Sequence, residues 1–343
     1  MQATNDPGVE PARERGERVE REAAAPIGAP SGSIVRIGTA SWTDPTLVRS
    51  GAFYPSWASS PEERLRFYAS RFSLVEVDST YYALPAPRMA ELWTQRTPDD
   101  FVFNIKAHAL MTGQPSEVSR LPKPMRDALP ESLQRKARVY GKDLPAELHD
   151  EVWTTFADAL RPLRASGKFG SVLLQYPRWF LPGSANRDAI LEARDRLSGM
   201  RIGVEFRNAL WFNERNAERT LRFLEEERIP YVVVDEPQGL KSSVPPIARV
   251  TAPALAIVRF HGRRADTWEK PRVTAAERYR YLYDEKELEE WVPRIEQLAA
   301  DAREVHVLMN NCYANYGTTN AQEIASLLRK TYGATASVSR GTA

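Results

Sequence analysis

The side chains of this sequence best suited to chemistry lie in or just beyond short runs of Val, Ile and Phe. Glu76 and Asp78 alternate with Val75 and Val77, and Asn104, Lys106 and His108 alternate with Phe103 and Ile105. Glu205 and Arg207 flank Phe206, while Arg259 and His261 flank Phe260. Successive side chains of a β-strand point to opposite faces, so each run has an apolar face and a charged one. By the same rule Gln175, Asp235 and Asn310 end their runs on the polar face. That face gathers the acids Glu76, Asp78, Glu205 and Asp235 and the cations Lys106, Arg207 and Arg259. An unpaired buried charge is costly, so these groups must pair with one another or with a ligand. Ion pairing accounts for any one of them; a polar ligand pocket is the better account of the whole set.

Each candidate has a chemistry and a plainer alternative. Glu205, walled by Val204 and Phe206, fits a general acid/base, because desolvation raises a carboxyl pKa. The alternative is an ion pair with Arg207 or Lys106. Glu76 and Asp78 project the same way, which suits a shared proton or an intervening cation, or else hydrogen bonds to loop backbone. Lys106 would serve as a Schiff-base amine only if its pKa were depressed, whereas neighbouring acids would raise it. Arg259, His261 and Arg263 form a ladder suited to phosphate or carboxylate, or to pairing with Glu205 or Asp235. The expected catalytic set is therefore Glu205, Asp78, Glu76, Lys106 and His261. The expected substrate contacts are Arg207, Arg259, Arg263, Asn310, Asn311, Gln175 and Asp235, with Trp42 and Tyr82 at the rim beside Tyr279, Tyr281 and Tyr283. No H-x-H or H-E-x-x-H spacing occurs, so neither a metal site nor a cofactor is expected. Cys312 reads as a small packed residue.

Eight runs predict strands: Ile34–Gly38, Leu74–Asp78, Phe101–Lys106, Ser171–Gln175, Arg201–Phe206, Tyr231–Asp235, Leu255–His261 and Glu304–Met309. Seven stretches of helical spacing separate most of them, and strand alternating with helix predicts parallel pairing through right-handed crossovers. Eight such units in about 300 residues fit a closed (β/α)8 TIM-type barrel with long loops after strands 1, 3 and 7, its site at the C-terminal mouth. The barrel is expected over residues 34–333. Residues 1–33 carry six acids and four arginines but only two valines and one isoleucine. They, like residues 334–343, are expected to be disordered tails. The insert at 111–144 is basic, with seven cations against two acids over 120–142, and reads as a lid over the mouth or as a solvated surface.

These motifs also carry a family likeness. Ile37-Gly38-Thr39-Ala40-Ser41-Trp42, Phe53-Tyr54-Pro55, Glu76-Val77-Asp78-Ser79-Thr80-Tyr81-Tyr82, Phe101-Val102-Phe103-Asn104-Ile105-Lys106, Leu174-Gln175-Tyr176-Pro177, Val204-Glu205-Phe206-Arg207, Val258-Arg259-Phe260-His261-Gly262-Arg263, Tyr279-Arg280-Tyr281 and Asn310-Asn311 resemble, in order, the YecE-like domain-of-unknown-function family (DUF72). The resemblance spans nearly all of 34–332 and implies a TIM-type barrel but no activity. Asp78 stands where the family pattern often has Asn, and the 111–144 insert is longer than usual.

Composition narrows the function classes. Of 343 residues 25 are Pro and 18 Gly, which excludes collagenous and low-complexity chains. A mean hydropathy of −0.47 and the lack of any long apolar run exclude a membrane span, so no membrane partner is expected. The single Cys excludes a disulfide framework. With no apolar leader visible, a cytoplasmic location is expected. The net charge of +2 argues for no particular partner, and no oligomeric state follows from the sequence. The expected function is acid/base catalysis on a small anionic substrate, phosphorylated sugar-like or nucleotide-like. The alternatives are a metal-dependent phosphodiesterase or endonuclease-like enzyme on nucleic acid, and a non-catalytic nucleic-acid or protein-binding module.

Overall fold

The computed structural model describes residues 6–19 and 25–340. Eight parallel strands build it: β1 Ile34–Ala40, β2 Leu74–Val77, β3 Val102–Lys106, β4 Phe169–Gln175, β5 Ile202–Glu205, β6 Val232–Asp235, β7 Ala256–Phe260 and β8 Glu304–Met309. They are hydrogen-bonded in the order β5-β4-β3-β2-β1-β8-β7-β6. A single bridge, Val204 with Tyr231, joins β5 to β6 and nearly closes the ring. Each strand thus lies beside its neighbour in sequence, the arrangement of a (β/α)8 barrel.

Helices cover the outer faces. The principal ones are α1 Val9–Arg18, α2 Pro61–Ala69, α3 Pro87–Gln95, α4 Ala146–Ala159, α5 Ser184–Arg196, α6 Ala217–Glu226, α7 Val292–Asp301 and α8 Tyr316–Arg340. α2 begins where local chemistry dictates: Ser60 and Glu63 form a reciprocal capping box and Pro61 opens the helix. α4 turns Leu148, Val152, Trp153, Phe156 and Ala159 inward at helical spacing. These stripes meet the outward strand residues Val75, Val77, Phe103, Ile105, Val204 and Val258 in one continuous core.

The N-terminal end of the lumen is plugged by charge. Glu304 accepts from Arg36 Nε at 2.7 Å and from Arg201 at 2.9 Å, and His306 Nε2 lies 3.1 Å from it. Asn104 Oδ1 stands 3.0 Å from His306 Nδ1. Among the described residues no helix is long and apolar enough to cross a membrane.

Both termini differ from the expected tails. α1 packs against α8 through Val9, Ala12 and Gly16. Asn315 and Thr319 donate to the carbonyls of Val9 and Ala12, and Arg15 pairs with Glu323 at 2.7 Å. Ile27–Gly28 adds a short antiparallel strand to β1. Composition missed this because the segment docks by polar side chains of α8 reaching its backbone and by close approach at small residues. A Cβ on Gly16 would come 2.8 Å from the Gln322 side chain. α8 runs on to Arg340, and residues 1–5, 20–24 and 341–343 of the expected tails lie outside the described residues. The insert after β3 extends the barrel's core, with Val118, Leu121, Met125, Leu129, Leu133 and Val139 buried in the same cluster. Arg120, Lys123, Arg135 and Arg138 pair with acids of the insert itself.

Candidate functional site

Strand alternation brings the expected side chains to one mouth. Arg259, on the lumen face of β7, is 1% exposed and sits at the centre. It donates to Glu205 of β5, to Glu76 of β2 at 2.5 Å, to Asn310 at 3.2 Å and to Gln175 at 3.4 Å. Arg207 donates to the other oxygen of Glu205, to Glu236 at 3.3 Å and to Gln175 at 3.4 Å. Its guanidinium lies over the Trp268 ring. His261 Nδ1 accepts from the Asn310 amide at 2.9 Å, which leaves its Nε2 proton facing Glu205 at 3.3 Å.

These partners reverse the protonation expected of Glu205. Burial pushes its carboxyl up, but the guanidiniums of Arg207 and Arg259 and the His261 imidazole outweigh that and hold it well below the usual range. Glu205 is a fixed anion at neutral pH and donates no proton. Burial and the Arg207 charge push His261 down to about 3, so its imidazole is neutral.

The other half of the mouth is open. Glu76 faces one guanidinium rather than two, and burial raises its carboxyl despite Arg259 and Lys106. Its Oε2 is buried without a hydrogen-bond partner. Asp78, half-buried just beyond β2, is raised by burial against the pull of Lys106. The half-buried Lys106 amine lies over the Tyr81 ring at 4.8 Å and donates no hydrogen bond among the described residues. Burial first, then Arg259, lowers its pKa, opposite to the expectation that neighbouring acids would raise it. Glu76 and Glu205 do pull it up, but burial and the Arg259 charge outweigh them.

The rim adds a pocket of about 200 Å³ whose floor includes Gln175 and Arg207 and whose walls include Trp179, Trp268, Tyr279 and Arg278. Tyr279 also stands 5.9 Å from the His261 ring. Tyr82 is exposed at the edge, with Arg120 of the insert over its ring.

Several expected contacts lie elsewhere. Asp235 pairs in register with the outward Phe260 and bonds Tyr283, Trp291 and Arg263 under the helices, at 2.7 Å, 2.7 Å and 2.8 Å. Arg263 goes with it, reaching Glu287 and Glu290. The inward acid of that strand end is Glu236, one residue on, which burial pushes up to about 8. The run Val232-Val233-Val234 has no alternation from which to read its face, so Glu236 gave no signal. Trp42 packs edge-on to Trp93 and Phe103 on the helix side, at 6.0 Å and 6.5 Å. Asn311 is spent on the Tyr281 carbonyl and Asn320. His108 caps a turn at the foot of the insert, away from Arg259. Cys312 donates to the Ala40 carbonyl at 2.7 Å, and burial raises its thiol well above the usual value. Among the described residues no three His, Cys, Asp or Glu side chains group as a metal site; the acids are interleaved with arginines.

A family profile described as "Protein of unknown function DUF72" matches residues 36–342. The chain is 30% identical over 298 residues to the UPF0759 protein YunF of Bacillus subtilis, covering 86% of this chain and 95% of the relative. It is 28% identical over 204 residues to YecE of Escherichia coli K12, 59% of each. Crystal structures of DUF72 proteins from Thermotoga maritima (27% identity, TM-score 0.67) and Enterococcus faecalis (25%, 0.68) superpose on 86% of the chain. They cover 99% and 95% of those chains.

Proposed function

The chain belongs to the DUF72 family, whose name carries no activity, and from that premise we propose that it is an enzyme using acid/base chemistry on a small anionic substrate at the barrel mouth. One observation carries this: the Lys106 amine makes no hydrogen bond among the described residues, within electrostatic reach of Asp78 and of Glu76, whose Oε2 is orphaned. The half-buried amine has the Tyr81 ring beside it and unused hydrogen-bond donors, and a bound anion would take them up. Glu76 and Asp78, raised by burial, hold a proton more readily than an ordinary carboxyl and are suited to passing one. Glu205 positions Arg207 and Arg259, and Arg207 with Arg278 gives the rim its affinity for phosphate or carboxylate. The aromatic walls Trp268 and Tyr279 favour a substrate with a ring, sugar or base.

A thermal-shift screen of anionic and neutral metabolites, with inorganic phosphate as the simplest probe, tests the proposal. The expected result is stabilisation by phosphate and phosphorylated compounds, lost in Lys106→Met. Stabilisation by neutral compounds alone, or phosphate shifts equal in wild type and Lys106→Met, would overturn it.

A further inference from the structure

Next to the mouth lies a larger cavity that the proposed chemistry does not use. It encloses about 610 Å³ between the insert and α5, and Met111, Tyr140, Trp153, Tyr176, Trp179 and Phe180 line it. Pockets of some 300–1,000 Å³ with mostly apolar walls and a few polar groups are the usual size and character of small-molecule sites. Two observations tie this one to the mouth. Pro177 and Trp179 line both this cavity and the rim pocket, so the two adjoin at the Trp179 indole. Trp179 is itself 55% exposed, a large ring left in water at the junction. Its polar groups include Lys142, His149, Asn186 and Glu192, and one is unspent: the Tyr176 hydroxyl is buried without a hydrogen-bond partner among the described residues. Lys142 stands at the rim, its amine 5.8 Å from the Tyr140 ring centre.

We propose that this cavity is a second subsite, taking the flat apolar or aromatic portion of a ligand whose anionic end sits in the mouth, with Trp179 stacking where the two portions join. This deepens the reading above and holds only if the mouth is an anion site. It narrows the substrate from any small anion to an amphipathic one, an anionic group joined to a ring system. Free phosphate would fill the mouth alone.

Isothermal titration with two probes separates the subsites: inorganic phosphate for the mouth, and 1-naphthyl phosphate for mouth and cavity together. The naphthyl ester is expected to bind at least tenfold more tightly than phosphate. Trp179→Ala should remove about tenfold of that gain, in keeping with the usual worth of an aromatic contact. Ala189→Trp, on the half-exposed cavity face of α5, should block the ring and spare phosphate without threatening the fold. Phosphate binding with no advantage for the ester, or an advantage that survives both substitutions, would overturn the second subsite and leave the proposed function standing. If neither probe binds, the proposed function fails and the subsite with it.

Discussion

The two ends of the barrel lumen hold ionic clusters of similar parts and opposite finish. At the N-terminal end Glu304 has Arg36, Arg201 and His306 around it, and burial is outweighed so that its carboxyl is held low. At the mouth Glu205 is held the same way by Arg207 and Arg259. Yet the mouth also keeps Glu76 Oε2 and the Lys106 amine without a hydrogen-bond partner among the described residues. A cluster whose charges are all paired stabilises the scaffold, and in barrels the N-terminal face is the one that serves stability. A cluster with members left over is poised for a ligand and costs stability when empty. The lesson is that charge count does not separate the two roles; completion of the pairing does.

The largest expected effect is at Glu205. Glu205→Gln leaves Arg207 and Arg259 facing a neutral amide, and breaking a buried pair this way costs about 3–5 kcal/mol. Urea melts would read it. A loss under about 1 kcal/mol would mean that the guanidiniums find other partners, and would erase the likeness between the two clusters. Glu304→Gln should cost less, about 2 kcal/mol, because Arg36 and Arg201 reach solvent. Phosphate binding by Glu304→Gln should be unchanged; a weakened affinity would join the two ends.

The pH dependence of stability sharpens the contrast next. Glu236, pushed up to about 8, keeps in the folded state a proton that the unfolded chain has released above its model value of 4.5. Its contribution is therefore present at low pH and lost as pH rises toward about 8. Glu76 and Asp78, also raised, act with the same sign. His261, at about 3, and His108, at about 4, act oppositely below 6.5, where the unfolded imidazoles take up protons that the folded ones refuse. Stability should peak near pH 6.5 and fall above it, with Glu236 alone supplying up to about 1.4 kcal/mol per pH unit. Glu236→Gln should flatten that fall; an equal slope in both proteins would show that Glu236 titrates normally.

Lys106→Met should change stability least, by less than about 1 kcal/mol, because removing an incompletely paired buried charge offsets the lost contact with Tyr81. The same substitution abolishes phosphate binding if the open half is the working half. A large loss of stability would assign Lys106 to the scaffold beside Glu205.

Much of the site was legible in the sequence because alternation along a strand is a local property. Glu76, Lys106, Glu205, Arg207 and Arg259 share the lumen face for the same reason that Val75, Ile105, Val204 and Val258 share the core. Eight alternating units within one chain length likewise determined the barrel. The sequence alone left the ownership of each charge undecided. Glu205 looked like an acid raised by burial; two guanidiniums, one of them 54 residues away on β7, turned it into a fixed anion. The face of Asp235 was undecidable within an unbroken valine run, and register against Phe260 sent it outward and Glu236 inward. The N-terminal helix looked too polar to fold, and side chains and backbone more than 260 residues away gave it partners. Facing follows from chirality and pleat, which every residue carries with it. Pairing and protonation depend on distances of a few ångströms between strands, and those exist only once the barrel has closed.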